Sequence, residues 1–367
     1  MQDHEQPVER KFEVQLPAMW TKPEYSRDRI RAAGDLLRRE DSARPNGVVL
    51  TPDEHVEAMA VLGNWKAAHN YPLNALHINL RNHAQRVTGK PEPLTAQRIK
   101  RIPSILTKLR KSSNISLLDM QDLGGCRAIV DTVAQVRALR DRHLKSRSRH
   151  RYLWQRDYLE KPKASGYRGI HLIYEYVGAS DYEGMRIEVQ LRTRLQHQFA
   201  TADEVVGMWR GEAYKSGKGD PQWLRMFSLL GAAFALMEGT APIEGLPSRM
   251  EELQPMICEL DRELRFRESL SGFHHGLGFP MQHPVVKDAY YFLLALSPGK
   301  DELRVVPYKA TDLRRAEHDL LETEQSLGPE ADVVLVAVPD MRALRRAYPN
   351  YWLDTRMFQQ TLEKLMA

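Results

Sequence analysis

The run from Tyr158 to Thr193 constrains this chain more than any other, because it joins a basic glycine loop to two strand-like segments. In Arg186 to Thr193 the apolar Ile187, Val189 and Leu191 alternate with Glu188, Gln190 and Arg192, so the three polar groups share one sheet face at period two. Ahead of them, Lys161 and Lys163 flank a proline and precede Ala164, Ser165 and Gly166. Two cations then sit on a turn whose backbone can approach a polyphosphate closely. Tyr167 adds a flat face for a nucleobase, a contact worth about 1–3 kcal/mol. The same residues also suit a surface turn with a half-buried tyrosine, and the strand's polar residues also suit a solvent face.

A second constellation lies upstream. Between Gln97 and Arg110, Ile105 and Leu109 stand one helical turn apart, as do Ser104 and Lys108, so apolar and basic residues fall on different faces. Asp119 and Asp122 then precede Gly124, Gly125 and an apolar strand running to Val130. A carboxylate there suits a divalent ion that bridges phosphates, since Mg²⁺ typically takes one or two protein carboxylates, and it equally suits a helix N-cap. Cys126, in the expected strand, and Cys258, in an expected helix, read as buried small hydrophobes.

The order RxKxxxSIxxK, DLxxxR, PKxxGYxxIH and EVQLRT, over roughly residues 95 to 210, resembles the synthetase domain of the RelA/SpoT nucleotidyltransferases. Those enzymes move pyrophosphate from ATP onto a ribose 3′-hydroxyl. The resemblance implies an α+β fold: a mixed β-sheet synthetase core with flanking helices. It implies that Arg98 stacks on or clamps the ATP adenine and that Lys100, Ser104 and Lys108 hold its phosphates. Asp122 and Glu188 would bind Mg²⁺, with Mn²⁺ as an alternative, and Glu188 would also take the proton from the attacking hydroxyl. Arg127, Lys163 and Arg192 would neutralise the transferring group, Tyr167 would stack on the acceptor base, and His171 and Gln190 would lie beside it. In-line positioning and electrostatic stabilisation suffice for such a transfer, so no covalent intermediate is expected.

Composition fits an intracellular, cytoplasmic enzyme. Two cysteines in 367 residues exclude a disulfide framework, the segment MQDHEQPVERKF lacks the apolar core of a signal peptide, and no run of about 18 apolar residues suggests a membrane span. The net charge of +5 is mild but uneven. From Arg140 to Arg151 the bases Arg140, Arg142, Lys145, Arg147, Arg149 and Arg151 face one acid, which suits either an RNA backbone or a solvated loop edge.

Helices are expected at 23 to 39, 53 to 65 and 73 to 88, as a cap on the core, and the segment before residue 95 is too short for the hydrolase half of long RelA/SpoT proteins. Gln190 to Met208 passes from strand into helix, where His197 reads as structural. Helices follow near 221 to 237 and 249 to 270. Glycines and Pro280 between Phe273 and Pro280 mark a boundary, so the expected domains are 1–272 and 273–367. The second is expected to be a small α+β module with strands at 289–296, 302–308 and 332–338. His274, His275 and His283 lack suitably spaced partners, so no zinc is expected, and His318-Asp319 reads as helix surface.

Within this module Tyr348, Tyr351 and Trp352 surround Pro349, a grouping not expected to be wholly core, although a core role for the tyrosines stays open. Ala-Tyr-x-x-Tyr after the Val-Val-Leu-Val strand resembles the CapRel proteins, fused toxin–antitoxin members of the toxic small alarmone synthetases. The resemblance implies a pseudo-zinc-finger-like regulatory module whose Tyr348 and Tyr351 plug the adenine site. It implies a trigger surface at Val334, Leu335 and Ala347 for a phage protein, with the major capsid protein as candidate, and tRNA pyrophosphorylation at the 3′-CCA end. A (p)ppGpp or (p)ppApp synthetase and a catalytically inactive sensor stay open as alternatives. The oligomeric state is open, with a monomer favoured.

Overall fold

The computed structural model describes residues 20–40, 48–112, 114–210, 219–275, 289–297, 302–327, 331–338, 340–352 and 355–367. Three helices come first: α1 (Arg27–Arg39), α2 (Pro52–Ala68) and α3 (Asn70–Thr88). The starts of α1 and α2 are written locally. Ser26 accepts from the Arg29 amide, and Thr51 with Glu54 forms a reciprocal capping box ahead of Pro52.

The chain then builds β1 (Leu94–Ile99), α4 (Ile102–Lys111), β2 (Gly124–Val130), α5 (Val133–Leu144), β3 (Arg151–Asp157), β4 (Ile170–Glu175), β5 (Arg186–Thr193) and α6 (Arg194–Arg210). Helices α7 (Pro221–Glu238), α8 (Met250–Leu264) and α9 (Phe266–His275) follow. The last segment supplies β6 (Ala289–Ser297), β7 (Glu302–Lys309), α10 (Leu313–Leu327), β8 (Asp332–Ala337), α11 (Met341–Ala347) and α12 (Arg356–Met366). The α+β content and flanking helices agree with expectation.

All eight strands form one mixed sheet in the order β3-β4-β5-β2-β1-β8-β6-β7. β2 and β5 are parallel, and the other pairs are antiparallel. The strands expected after residue 289 are therefore present, but they do not stand apart as a separate module. β8 pairs with β1 through Gln97↔Ala337 and Arg98↔Val336, so the C-terminal strands extend the N-terminal sheet. Most of the expected boundary, residues 276–280, lies outside the described residues.

Helices cover both faces. On one, α6 to α9, α11 and α12 pack over Ala96, Ile129, Phe292, Leu294, Val334 and Val336. On the other, α3 and α5 pack over Cys126, Ala128, Val189 and Leu191, while α1, α2, α4 and α10 pack at the β8–β6 end. β8 is buried at every position, the pattern of a strand sandwiched between two helical layers. Val334 and Leu335 therefore lie inside, as does Ala347 on α11, and they form no surface in this structure. Cys126 is buried as expected, whereas Cys258 is half-buried.

Two buried carboxylates tie α10 to the N-terminal helices. Lys66 on α2 pairs with Glu324, which also accepts from the Ile102 amide at the start of α4 at 3.1 Å. Glu317 accepts from Asn70 and from the Thr21 hydroxyl. Burial raises the Glu317 carboxyl to about 7, and the hydrogen bonds from Thr21 and Asn70 only partly offset it.

Candidate active site

The strand pairing assembles the polar face. Gly125↔Glu188 and Arg127↔Gln190 align β2 with β5, His171↔Gln190 aligns β4, and Ala96↔Arg127 aligns β1. Arg98, Arg127, Glu188, Gln190, Arg192 and His171 therefore share one side of the sheet, as the period-two alternation of β5 requires.

Asp122 lies in the turn before β2 and draws in two ammonium groups. Its Oδ2 accepts from Lys100 Nζ at 2.9 Å, and its Oδ1 accepts from Lys108 Nζ, on α4, at 2.8 Å. Burial works to raise this carboxyl, but Lys100 and Lys108 outweigh it and hold it below the ordinary range. Lys100 is itself pulled down by burial, with Asp122 opposing. Ser104 precedes Lys108 by one turn on α4, as expected.

Glu188 closes a ring of hydrogen bonds. Its Oε1 is 2.8 Å from His171 Nδ1, and its Oε2 accepts from Gln190 Nε2 at 2.6 Å. One Arg192 NH2 group donates both to Gln190 Oε1 at 2.8 Å and to the Tyr167 hydroxyl at 2.7 Å. That hydroxyl lies 2.7 Å from His171 Nε2. Burial opposes the Glu188 charge, yet His171 and the Gln190 amide win and hold the carboxyl well below its ordinary value. For His171 burial is again the opposing cause, and Tyr167 and Glu188 raise the imidazole above its ordinary value. Asp122 and Glu188 interact electrostatically, each raising the cost of charge on the other, as two carboxylates facing one space do.

The basic loop stands over this ring. Lys163 Nζ sits 5.0 Å from the Tyr158 ring centroid and 5.3 Å from that of Tyr167, whose ring also faces the Arg192 guanidinium at 5.1 Å. At 1% exposure, Tyr167 presents no open stacking face in this conformation. His197 is buried with Nε2 3.2 Å from the Arg346 carbonyl oxygen, and burial among Arg127 and Arg192 lowers it to about 3, so it is structural as expected.

Both C-terminal tyrosines reach the same face and are buried, in line with the core role left open for them. The Tyr348 hydroxyl donates to the Gln97 carbonyl oxygen at 3.0 Å, with the Arg127 guanidinium 4.8 Å from its ring centroid. The Tyr351 hydroxyl donates to Asp332 Oδ1 at 2.6 Å. Burial weakens the Arg98 charge, but Glu204 on α6, followed by Tyr351 and Tyr348, more than restores it. Glu204 and Tyr158 carried no signal in the sequence: one is an ordinary helical glutamate and the other precedes the loop. The side chain of Trp352 lies outside the described residues.

The basic segment lies elsewhere, at the end of α5 and the start of the edge strand β3. Arg142, Lys145, Arg147, Arg149 and Arg151 are exposed, whereas Arg140 is held by Asp141 and Asp157 and Arg151 pairs with Glu175. A further group, His318, Asp319 and Glu322 on the surface of α10, brings three ligand-type atoms within 4.8 Å. Asp319 already accepts from the Tyr308 hydroxyl at 2.8 Å and has Arg315 at 3.8 Å, so the group behaves as a surface ion-pair network.

Comparison with known proteins shows what this part of the chain is similar to. Residues 97–217 match the model described as the region found in RelA / SpoT proteins. GTP pyrophosphokinase YjbM of Bacillus subtilis (strain 168) is 32% identical over 118 residues, covering 31% of this chain and 55% of that protein. GTP pyrophosphokinase YwaC of the same organism is 29% identical over 147 residues, covering 36% of this chain and 70% of that protein. The crystal structure of small alarmone synthetase 1 from Bacillus subtilis bound to its product pppGpp aligns at 23% identity and a TM-score of 0.40, covering 46% of this chain and 89% of that one. The chain thus spans about half the length of the first of these relatives. No helix among the described residues is long and apolar enough to cross a membrane. Residues 97–217, which hold Asp122, Glu188 and the basic loop, are thus the part of the chain that matches the region found in RelA / SpoT proteins, and both of these relatives are named as GTP pyrophosphokinases.

Proposed function

We propose that this chain transfers pyrophosphate from ATP to the 3′-hydroxyl of a tRNA CCA end, and that its C-terminal segment holds the site shut until a phage protein opens it. The observation that carries the chemistry is the convergence of Asp122, Glu188, Lys100, Lys108 and His171 at one end of the sheet. The attacking 3′-oxygen bonds to the β-phosphorus of ATP, the bond to the α-phosphate oxygen breaks, and AMP leaves. Glu188 takes the hydroxyl proton, and His171 and Gln190 fix the direction of its carboxylate. Lys100 and Lys108 turn from Asp122 to the ATP phosphates, while Arg127, Lys163 and Arg192 meet the transferring charge. Arg98 holds the adenine.

Asp122 and Glu188 offer the hard carboxylate oxygens that suit Mg²⁺, or Mn²⁺ in its place, so the donor set fits such an ion. When bound, the ion supplies charge neutralisation between phosphate oxygens. Autoinhibition is supported by Tyr348, which lies on the β1 backbone under Arg127, beside the residues assigned to the nucleotide. A tethered plug acts at high effective concentration, so a modest contact suffices to exclude ATP, and a trigger must bind the open form preferentially. Val334, Leu335 and Ala347 join a trigger surface only after opening, since all three are buried here.

A free-nucleotide acceptor is the second possibility, favoured by the two relatives named as GTP pyrophosphokinases. ATP labelled in its terminal phosphates decides between them. The full chain and the Tyr348→Ala/Tyr351→Ala variant are offered bulk tRNA, GDP and GTP together. Label on tRNA from the variant and none from the full chain supports the proposal, and label on the guanine nucleotide makes the chain an alarmone synthetase. A folded double variant with unchanged basal activity rules out the plug.

A further inference from the structure

We propose that α7, which follows the RelA/SpoT-type region, is the backing plate that sets the position of the 161–169 loop, with Gly231 as its positioning residue. The contact is backbone to backbone. A Cβ at Gly231 would lie 2.3 Å from Gly166 Cα, and a Cβ at Gly166 would lie 2.6 Å from the Phe227 carbonyl oxygen and 2.8 Å from the Phe199 ring. Gly166 also has φ of +85°, a conformation that side-chain-bearing residues rarely adopt.

A glycine in the middle of a helix weakens it, and here Gly231 removes the side chain that would keep the loop away. One turn earlier, Ser228 Oγ donates to the Ala164 carbonyl oxygen at 2.6 Å. Arg168, 3% exposed, sends its Nε to the Gly231 carbonyl oxygen at 3.5 Å, and the Ala241 amide after α7 donates to Leu159 O at 3.2 Å. Four contacts from one helix and its end thus fix the loop from Leu159 to Arg168. Lys163 and Tyr167 ride on that loop, and the Tyr167 hydroxyl joins the ring around Glu188. α7 therefore sets where Lys163 and the Tyr167 hydroxyl sit relative to Glu188 without touching the carboxylate.

Amide hydrogen exchange in the full chain tests the clamp without any reaction. Gly231→Ala raises exchange across residues 163–169 by about tenfold or more, because overpacking at the contact must displace the loop. Ser228→Ala, which removes one hydroxyl and threatens folding less, raises it a few-fold, by about the worth of one hydrogen bond. Peptides from α3 and β5 keep their rates. Unchanged loop exchange in both variants overturns the clamp.

The positioning role rests on the pyrophosphokinase proposal and is read in the Tyr348→Ala/Tyr351→Ala background. There kcat for transfer falls with Ser228→Ala and Gly231→Ala, because Lys163 and the Tyr167 hydroxyl leave their places beside Glu188, while the KM for ATP, assigned to Arg98, Lys100 and Lys108, changes little. A rise in the KM for ATP with kcat unchanged, or no change in either once loop exchange has risen, makes α7 a merely structural support and overturns its positioning role. A background that transfers nothing sinks the pyrophosphokinase proposal instead, and the exchange result still decides the clamp.

Discussion

The two ends of the sheet carry opposite chemistry on one continuous face. At the β4-β5-β2 end that face holds His171, Glu188, Gln190 and Arg192, linked by short hydrogen bonds with the Tyr167 hydroxyl, and Arg127 beside them against the Tyr348 ring. At the β8-β6-β7 end it holds Val334, Val336, Phe292, Leu294 and Val305, packed under helices. The change occurs at β1, where Arg98 stands opposite Val336. A charged face can adjoin an apolar one only if something polar at one end and apolar at the other covers the seam. Tyr348 and Tyr351 have that character, with rings in the core and hydroxyls on Gln97 and Asp332.

If the polar end is the catalytic one, Glu188→Gln in the Tyr348→Ala/Tyr351→Ala background lowers pyrophosphate transfer by about 10²- to 10⁴-fold, with thermal unfolding nearly unchanged. Retained transfer would move the base elsewhere. The apolar end responds the other way. Phe292→Ala, at a fully buried position, destabilises the chain by about 3–5 kcal/mol in denaturant titration. A change below about 1 kcal/mol would mean that this end is loosely packed.

A third prediction concerns the α10 junction. A carboxyl raised in the folded state keeps its proton after the unfolded chain has released its own. Stability therefore falls as pH rises from about 4.5 to about 7, by at most about 3 kcal/mol for Glu317, and is constant in this respect above and below that window. Glu317→Gln removes this dependence, as unfolding at pH 5 and pH 8 would show. An identical pH slope in the variant would place the titration elsewhere. The smallest effect belongs to the basic segment: Lys145→Ala/Arg147→Ala should reduce the salt slope of tRNA binding by about 2, one for each phosphate left without its cation. An unchanged slope would leave α5 and β3 out of RNA binding.

Much of this was legible in the sequence wherever one element determines its own geometry. The β5 alternation put Glu188, Gln190 and Arg192 on one face, and the helical spacing put Ser104 and Lys108 one turn apart on α4. Strands β6 to β8 were also readable, at 289–296, 302–308 and 332–338. What stayed hidden depends on pairing between distant segments. A six-residue run of valines, leucine and alanine fixes strand identity but not its neighbour, so the joining of β8 to β1 and the burial of Val334 and Leu335 on both faces could not be read. The His171–Glu188 contact spans two strands, and the Gly166–Gly231 approach spans a loop and a distant helix. Neither leaves a local pattern.

The most direct test of autoinhibition at this site is the binding of a non-hydrolysable ATP analogue with Mg²⁺, measured by calorimetry on the full chain and on the folded Tyr348→Ala/Tyr351→Ala variant. If the C-terminal tyrosines close the nucleotide site, the variant binds at least about tenfold more tightly, a difference of about 1.4 kcal/mol. Equal affinity in the two proteins would contradict it and would make the tyrosines part of the core alone.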